Sequence, residues 1–299
     1  MEEFSSCKKA MEACAKTKTF ALAHLFQEEK VMEMHIHDCY EIYYSISGGK
    51  QFLIDNKFYP IQPGDLFLIN QYESHYISQL DKMVHERIVL SIHPDYVKHL
   101  SSKETDLDAC FSSRPPQFQH RFSLNKDQQA RFLYYINKLK SVHGYGSDIL
   151  EQAFFMELLV MLNAICTAAT PAGSPDSAAV SATPPAAIPS TPVYNQQVDA
   201  ILAYINQNLS SALTIEQLAS HFFLSESYIC RIFKAATGTT INKYVTARRI
   251  SIAKVHLYNG ASVNEAWEQS GFADYSNFLR AFTKAVGVSP KKYAQYSVS

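Results

Sequence analysis

The stretch RIFKAATGTTINKY, residues 231 to 244, returns 49 positions later as RAFTKAVGVSPKKY, residues 280 to 293. Ahead of each copy stands the signature of a helix start. Thr214-Ile-Glu-Gln217 and Ser262-Val-Asn-Glu265 both have the form of a capping box, in which hydroxyl and acid or amide side chains satisfy each other's backbone N–H. Ser225 and Asp274 then precede a second helix in each copy as N-caps. In the first of these helices Ile229, Ile232, Phe233 and Ala236 fall at helical spacing and face inward, leaving Ser227, Cys230, Arg231 and Lys234 on the other side. The second repeats the arrangement, with Phe278, Ala281, Phe282 and Ala285 inward and Ser276, Leu279, Arg280 and Thr283 outward. Gly238, Gly271 and Gly287 suit helix ends. The repeated unit is therefore a helix-turn-helix, at about residues 214–234 and 262–284, joined by a helix over roughly 241–258.

A helix fits the major groove of B-DNA, where outward polar groups reach base edges while Lys and Arg hold phosphates. Two such helices on one chain reach two groove segments without a symmetric partner. The charge distribution agrees. Residues 211–299 hold ten Lys and Arg against five Asp and Glu, a balance of +5, whereas the whole chain carries −1 and the remainder therefore −6. A charged end alone is more often a solvated face than a binding site.

The residues that carry a resemblance are SxSYxxRxFKxxTGxxxxxY at 225–244, RxxxA at 249–253 and GFxDxSxFxRxFxxxxGxSPxxY at 271–293. Residues 196–296 thereby resemble the DNA-binding domain of AraC/XylS-type regulators. The resemblance implies DNA contact from Ser227, Cys230, Arg231 and Lys234 in the first unit and from Tyr275, Ser276 and Arg280 in the second. Cys230 and Leu279 are poor hydrogen-bonding readers, so Arg231 and Arg280 carry most of the expectation, as guanine readers or as phosphate clamps. Phe272, Tyr244 and Tyr293 read as core. The pattern is departed from at Ala266-Trp267, where a large aliphatic and then a small residue are usual, and at His256, where Leu is common. Trp267 is expected to exchange volume with Ala266 within one packed layer.

The 299 residues suffice for two domains, with 47% apolar and 18% charged residues as in ordinary globular chains. The longest apolar run, around AFFMELLVML, reads as too short to span a bilayer, and the N-terminus lacks the apolar region of a signal peptide. A cytoplasmic protein is expected. Cys7, Cys14, Cys39, Cys110, Cys166 and Cys230 have no CxxC pair, which fits reduced thiols. Residues 167–193 contain six Pro, eight Ala and a single charge and read as a semi-extended linker. It separates residues 20–166 from 194–299, with 1–19 as an N-terminal extension.

In residues 20–98 the β-rich runs YEIYYSIS, KQFLIDN, GDLFLIN, HYISQL and ERIVLSI alternate with turn residues, which predicts antiparallel hairpins closing into a barrel or sandwich. Two helices follow. Phe132, Ile136 and Leu139 mark the first, and Leu150, Phe154, Leu158, Met161 and Ile165 the second, which is apolar over more than one face. Either a second subunit covers the extra face or the helix is buried within one chain.

The segment HIHDCYEIYYSISG, 35–48, has the form HxHx3Ex6G and is followed by Pro63-Gly-Asp65 and His75. On a strand, positions i and i+2 share a face, so His35 and His37 can project together. Glu41 and His75 could complete a site of three imidazoles and one carboxylate. These residues resemble a cupin barrel, the form that effector-binding domains of AraC-type regulators commonly take. Two readings compete: a divalent-metal site, or polar groups lining a pocket without metal. Sequence favours the second, with His35, His37, Glu41, Tyr43 and His75 as effector-pocket residues and no cofactor. Tyr40, Tyr72 and Tyr76 are further stacking candidates for a sugar-like or aromatic ligand.

The expected architecture is α+β and multidomain: a cupin-like β-barrel with two following helices, then an all-α domain of two helix-turn-helix units. The expected function is an effector-controlled, sequence-specific regulator, a homodimer acting on double-stranded promoter DNA, with RNA polymerase as a partner where it activates. The alternative is a metal-dependent cupin enzyme with a DNA-binding tail; a third reading is a DNA-binding protein with no ligand. Through so long a linker little torque can pass, so control should act by oligomer state, effective concentration or direct docking of the two halves.

Overall fold

The computed structural model describes residues 3–28, 35, 37–49, 51–55, 57–71, 73–78, 84–114, 118–169 and 193–297. Residues 170–192, most of the expected linker, and Tyr72 lie outside the described residues. The N-terminal half runs β1 (Glu3–Phe4), α1 (Cys7–Thr17), β2 (Phe20–Glu28), β3 (Tyr40–Ser45), β4 (Gln51–Ile54), β5 (Lys57–Pro60), β6 (Asp65–Ile69), β7 (His75–Ser78) and β8 (Val84–Ile92). It continues with α2 (Pro94–Leu100), α3 (Ala109–Ser112), β9 (Arg121–Ser123), α4 (Lys126–Ser141) and α5 (Ser147–Ala169).

All six residues of YEIYYS are buried, which requires cover on both faces of β3. The strands form a six-stranded sheet, β1-β2-β8-β3-β6-β9, facing a three-stranded one, β5-β4-β7. Between the sheets lie Tyr43, Phe52, Ile54, Tyr59, Phe67, Ile69, Ile77 and Val89. On the opposite face of the large sheet, Tyr40, Ile42, Tyr44, Leu66, Leu68, Ile88 and Leu90 pack against helical residues including Phe132, Ile136, Phe155, Leu158 and Leu162. The period-two alternation thus feeds two cores from one set of strands.

Residues 3–19 join this fold. β1 pairs in parallel with β2, and Ala10 and Cys14 of α1 are buried with Ala21, Ala23, Leu25 and Cys39. Helix α5 is longer than its charge-free run suggested: Ser147–Ala168 is by length and composition apolar enough to cross a membrane, with mean hydropathy 1.7. Its Phe155, Leu158, Leu159 and Leu162 are nonetheless fully buried against the large sheet and α4, while Ile149, Leu150 and Val160 are exposed.

The C-terminal half is helical: α6 (Val193–Gln207), α7 (Ile215–His221), α8 (Glu226–Thr237), α9 (Ile241–Tyr258), α10 (Val263–Ser270), α11 (Tyr275–Val286) and α12 (Pro290–Ser297). Both capping boxes are present, Thr214 with Gln217 and Ser262 with Glu265, and Ser225 and Asp274 cap α8 and α11. Ala266 is fully buried, and Trp267 packs, half-buried, against the same core cluster. Its indole N–H donates to the Phe272 carbonyl at 2.9 Å and its ring packs against Tyr275 at the edge of the cluster.

The two turns meet one backbone demand with different residues. After α10, Gly271 takes φ 81°, and a Cβ there would lie 2.1 Å from the Leu209 carbonyl oxygen. Forty-eight positions earlier, Phe223 adopts φ 54° after α7, with its side chain 96% exposed. A bulky residue in the left-handed region is strained, and its exposed ring returns little packing. Phe223→Gly is therefore expected to stabilise the full chain by about 1 kcal/mol in urea denaturation. An unchanged or lowered midpoint would show that the exposed ring is stabilised by contacts of its own.

Candidate functional site

Two regions gather chemistry, and a seam between the halves connects them. On α8 and α11 the inner residues Ile229, Ile232, Phe233, Phe278 and Phe282 are buried. Ser227, Arg231 and Lys234 are exposed on the first helix and Ser276 and Arg280 on the second, with Cys230 half-buried. The Arg231 guanidinium lies 5.2 Å from the centre of the Tyr228 ring, an orienting contact that leaves its charge outward. Among the described residues neither Arg231 nor Arg280 forms a salt bridge. Tyr275, like Cys230, is half-buried, its ring 5.2 Å from Trp267. Arg249 of the RxxxA motif is a brace, donating to the Leu209 carbonyl at 3.0 Å and the Ser211 carbonyl at 2.7 Å.

In the N-terminal half, β3 carries Glu41 on the face turned between the sheets. His37 stands just before it. His35 and His75 form an antiparallel bridge, exchanging backbone N–H bonds at 3.2 and 3.1 Å, so pairing of the chain brings His75 to the other imidazoles. The ligand-capable atoms of His35, His37, Glu41 and His75 all lie within 4.8 Å of one another. His37 Nε2 is 3.1 Å and His75 Nε2 3.8 Å from the same Glu41 oxygen. Burial opposes the Glu41 charge, but the His37 hydrogen bond and the surrounding imidazoles prevail and lower its pKa to about 2. Burial, reinforced by His35, pushes His75 well below the usual imidazole value. For His37 burial also works against charge, yet the Cys39 sulfur and the Glu41 carboxylate outweigh it and hold its pKa well above that value.

The expected tyrosines divide according to strand face. Tyr43 points between the sheets, where its ring packs edge-on against Phe52. Tyr40 points away and stacks on Phe111, with ring centres 4.2 Å apart. Tyr76 faces outward from the small sheet. Alternation therefore withdraws Tyr40 and Tyr76 from any pocket between the sheets.

The outer face of the small sheet is covered by the C-terminal half. Leu53 and Tyr76 belong to one buried cluster with Ile201, Ile205, Ile229, Phe233 and Tyr244. A Cβ on Gly238, the left-handed cap of α8, would fall 2.3 Å from the tyrosine ring of Tyr76. On α9, the Tyr244 hydroxyl donates to the Asp55 carbonyl at 3.0 Å and accepts from Asn206 at 2.7 Å, and Arg248 is ion-paired with Asp55. One stripe further along, Lys254 pairs with Asp38 and the Tyr258 hydroxyl meets Asp95 at 3.3 Å. A cavity of roughly 700 Å3 opens beside this stripe, lined among others by Lys18, His37, His93, Lys254 and Tyr293. The linker and the repeats gave no signal of this seam; a lone Asp55 in a turn and an Arg248 on a helix look like solvated charges.

Burial raises the Asp55 pKa while Arg248 pulls it back, so removing the guanidinium leaves a shielded carboxyl without its counter-charge. Arg248→Ala is expected to cost about 2 kcal/mol in denaturation of the full chain. A double-mutant cycle with Asp55→Ala should return a coupling of the same sign; additivity would show that the pair does not join the halves.

Comparison with known proteins covers both halves. The AraC-like ligand binding domain family matches residues 20–159, and a helix-turn-helix domain family matches residues 218–296. The melibiose operon regulatory protein of Escherichia coli strain K12 is 34% identical over 101 residues, 33% of each chain, so the match spans about a third of that relative's length. The HTH-type transcriptional activator RhaR of Cronobacter sakazakii is 21% identical over 271 residues, 89% of this chain and 88% of that one. Among solved structures, ToxT from Vibrio cholerae aligns at 14% identity over 93% of this chain and 98% of its own, with a TM-score of 0.37.

Proposed function

The chain belongs to the AraC/XylS family of transcriptional regulators, and from that premise we propose that it binds promoter DNA sequence-specifically through α8 and α11, under control of a small-molecule effector. The observation that carries this reading is the repeated pair of helices, each with a buried apolar side and an exposed side bearing an arginine that forms no salt bridge among the described residues. Ser227, Arg231 and Lys234 would contact one groove segment and Ser276 and Arg280 the next, with Cys230 and Tyr275 at their margins. In this reading residues 194–299 form the DNA-binding domain and residues 20–166 the effector domain, with His35, His37, Glu41, Tyr43 and His75 as its polar focus.

The seam favours direct docking as the route of control. The α9 stripe of Tyr244, Arg248, Lys254 and Tyr258 rests on the N-terminal half, so an effector that shifts β4 or β7 alters where α8 and α11 can be placed. The name of the melibiose regulator supports a carbohydrate as one effector class to test. No step of this mechanism asks for catalysis, and we read the protein as a cytoplasmic regulator and not an enzyme, with RNA polymerase as a partner where it activates.

Dimerisation is assigned to α5. Val160 and Met156 line a groove of roughly 780 Å3 with Tyr135 and Arg131 of α4, an apolar face that a second copy would cover. Val160→Glu is expected to shift the protein to monomer in sedimentation velocity without lowering its melting temperature. A wild-type protein that sediments as a monomer at every concentration would remove the assignment.

For DNA binding, Arg231→Ala and Arg280→Ala should each weaken affinity for a selected promoter fragment by about 1–3 kcal/mol in fluorescence anisotropy. A larger loss on specific than on random sequence marks base reading; equal losses on both mark phosphate contact. Binding equal to wild type would refute the placement of these helices in the groove.

A further inference from the structure

No motif in the sequence pairs the six cysteines, and all six are free thiols. The fold nonetheless brings two of them together from distant parts of the chain. Cys110 lies on α3 and Cys166 on the last turn of α5, both buried in the core between the large sheet and the helices. Their thiols are hydrogen-bonded to each other. Asn163, one turn before Cys166, sets this contact. Its side-chain oxygen accepts from the Cys110 amide at 2.9 Å, and its side-chain nitrogen donates to the Leu107 and Leu159 carbonyls at 2.9 Å each. The Cys110 carbonyl accepts in turn from Arg114 Nε at 2.9 Å. Residue 110 is thus held at its N–H, its C=O and its side chain.

The two thiols are not equivalent. The Cys110 S–H donates to the Cys166 sulfur and the Arg114 guanidinium adds its charge, which together outweigh burial and lower the Cys166 pKa. The same bond, with burial, raises that of Cys110 well above the ordinary thiol value. A thiolate is the reactive form, so Cys166 is the nucleophile and Cys110 keeps a proton to give. Arg114 suits chemistry that forms an anion there. Its side chain is 9% exposed and its Nη1 meets both Glu73 oxygens at 3.0 Å. Its Nη2 is buried with no hydrogen-bond partner among the described residues, a charged donor still to be used.

We propose that Cys110 and Cys166 form a reversible disulfide when the protein meets a peroxide, and that this bond is an input to the regulator separate from its effector. The second half of the proposal rests on reading the chain as a DNA-binding regulator. With hydrogen peroxide, the Cys166 thiolate attacks one oxygen, the O–O bond breaks, hydroxide leaves and a sulfenic acid remains. The Cys110 sulfur then attacks the Cys166 sulfur, and the sulfenic oxygen leaves as water with the Cys110 proton. The hydroxide takes up the proton that Cys166 released, so two thiols give up two electrons and one peroxide becomes two waters. A dithiol reductant restores the pair by exchange. Thr167 and Ala168 beside Cys166 are exposed, so opening of the last helical turn admits a small oxidant. The bond ties α3 to the end of α5, where the chain leaves for the C-terminal half, and it removes the thiolate beside Arg114. Arg114 holds Glu73, and the amide of Ser74 donates to Asp55 at 3.1 Å, the partner of Arg248 on α9.

The test uses the full chain, reduced, freed of reductant and checked for fold by circular dichroism. After a small molar excess of hydrogen peroxide, remaining thiols are alkylated in denaturant and the peptides mapped by mass spectrometry without reduction. A Cys110–Cys166 cross-link is expected, reversed by dithiothreitol. Cys110→Ser should leave on Cys166 a sulfenic acid that dimedone captures, while Cys166→Ser leaves Cys110 a thiol, an asymmetry that mere packing of two thiols does not produce. The wild type alone decides the site. A folded protein in which Cys110 and Cys166 both stay thiols overturns it, as does a first disulfide that instead joins Cys14 to Cys39, whose thiols also meet, or joins two chains. Oxidised wild type should differ several-fold from reduced in affinity for a selected promoter fragment, recover with dithiothreitol, and lose this response in Cys166→Ser. A cross-linked protein with unchanged affinity, or a response that survives in Cys166→Ser, overturns the regulatory half. Because the reduced protein is assayed on the same DNA, failure of the switch is distinguishable from failure of the regulator reading, which falls only if neither form prefers any sequence.

Discussion

The three-stranded sheet β5-β4-β7 is buried on both of its faces, and the rest of the molecule is arranged around that constraint. Successive side chains on a strand point to opposite sides. His75 and Ile77 therefore enter the space between the sheets while Tyr76 meets α8, and Phe52 and Ile54 enter while Leu53 meets the first helix-turn-helix unit. A sheet so thin has no interior of its own. It is a wall shared by two cores, and a change of register or tilt on one side is felt on the other within one residue.

The C-terminal half meets that wall through its first unit only. Val198, Ile201, Ile205, Ile229 and Phe233 join Leu53 and Tyr76 in a single buried cluster, whereas Phe272, Phe278 and Phe282 of the second unit form a separate one with Ala253 and Leu257 of α9. Helix α9 contributes to both clusters and also carries the polar stripe that meets Asp55, Asp38 and Asp95. Helix α9 thus links the second unit to the first, and together with α6 and α8 it holds the C-terminal half against the N-terminal one.

Polar groups at the seam are organised differently from those on the outer faces of α8 and α11. Asp55, Arg248, Tyr244 and Asn206 form a linked set in which each side chain has a partner. Arg231, Lys234 and Arg280 stand exposed, and among the described residues none of them forms a salt bridge. The charges that hold the seam are satisfied internally, while those on the outer faces of α8 and α11 are left in water.

Much of this was legible in the chain. The capping boxes at Thr214 and Ser262, the caps at Ser225 and Asp274, and the inward and outward sides of α8 and α11 follow from local rules that act within four or five residues. The strands around YEIYYS, DLFLI and ERIVLSI could be read from alternation, and the HxHx3E spacing announced Glu41 and two histidines together. Other features depended on residues far apart in the chain. The convergence of His75 on Glu41 comes from strand pairing, the withdrawal of Tyr40 and Tyr76 from the interior comes from which sheet covers which face, and the joining of Asp55 to Arg248 spans 193 positions. Short-range hydrogen bonding and periodicity are written in neighbouring letters. Contacts that close across the fold are set by how the sheets and helices pack, and only the tertiary structure decides those.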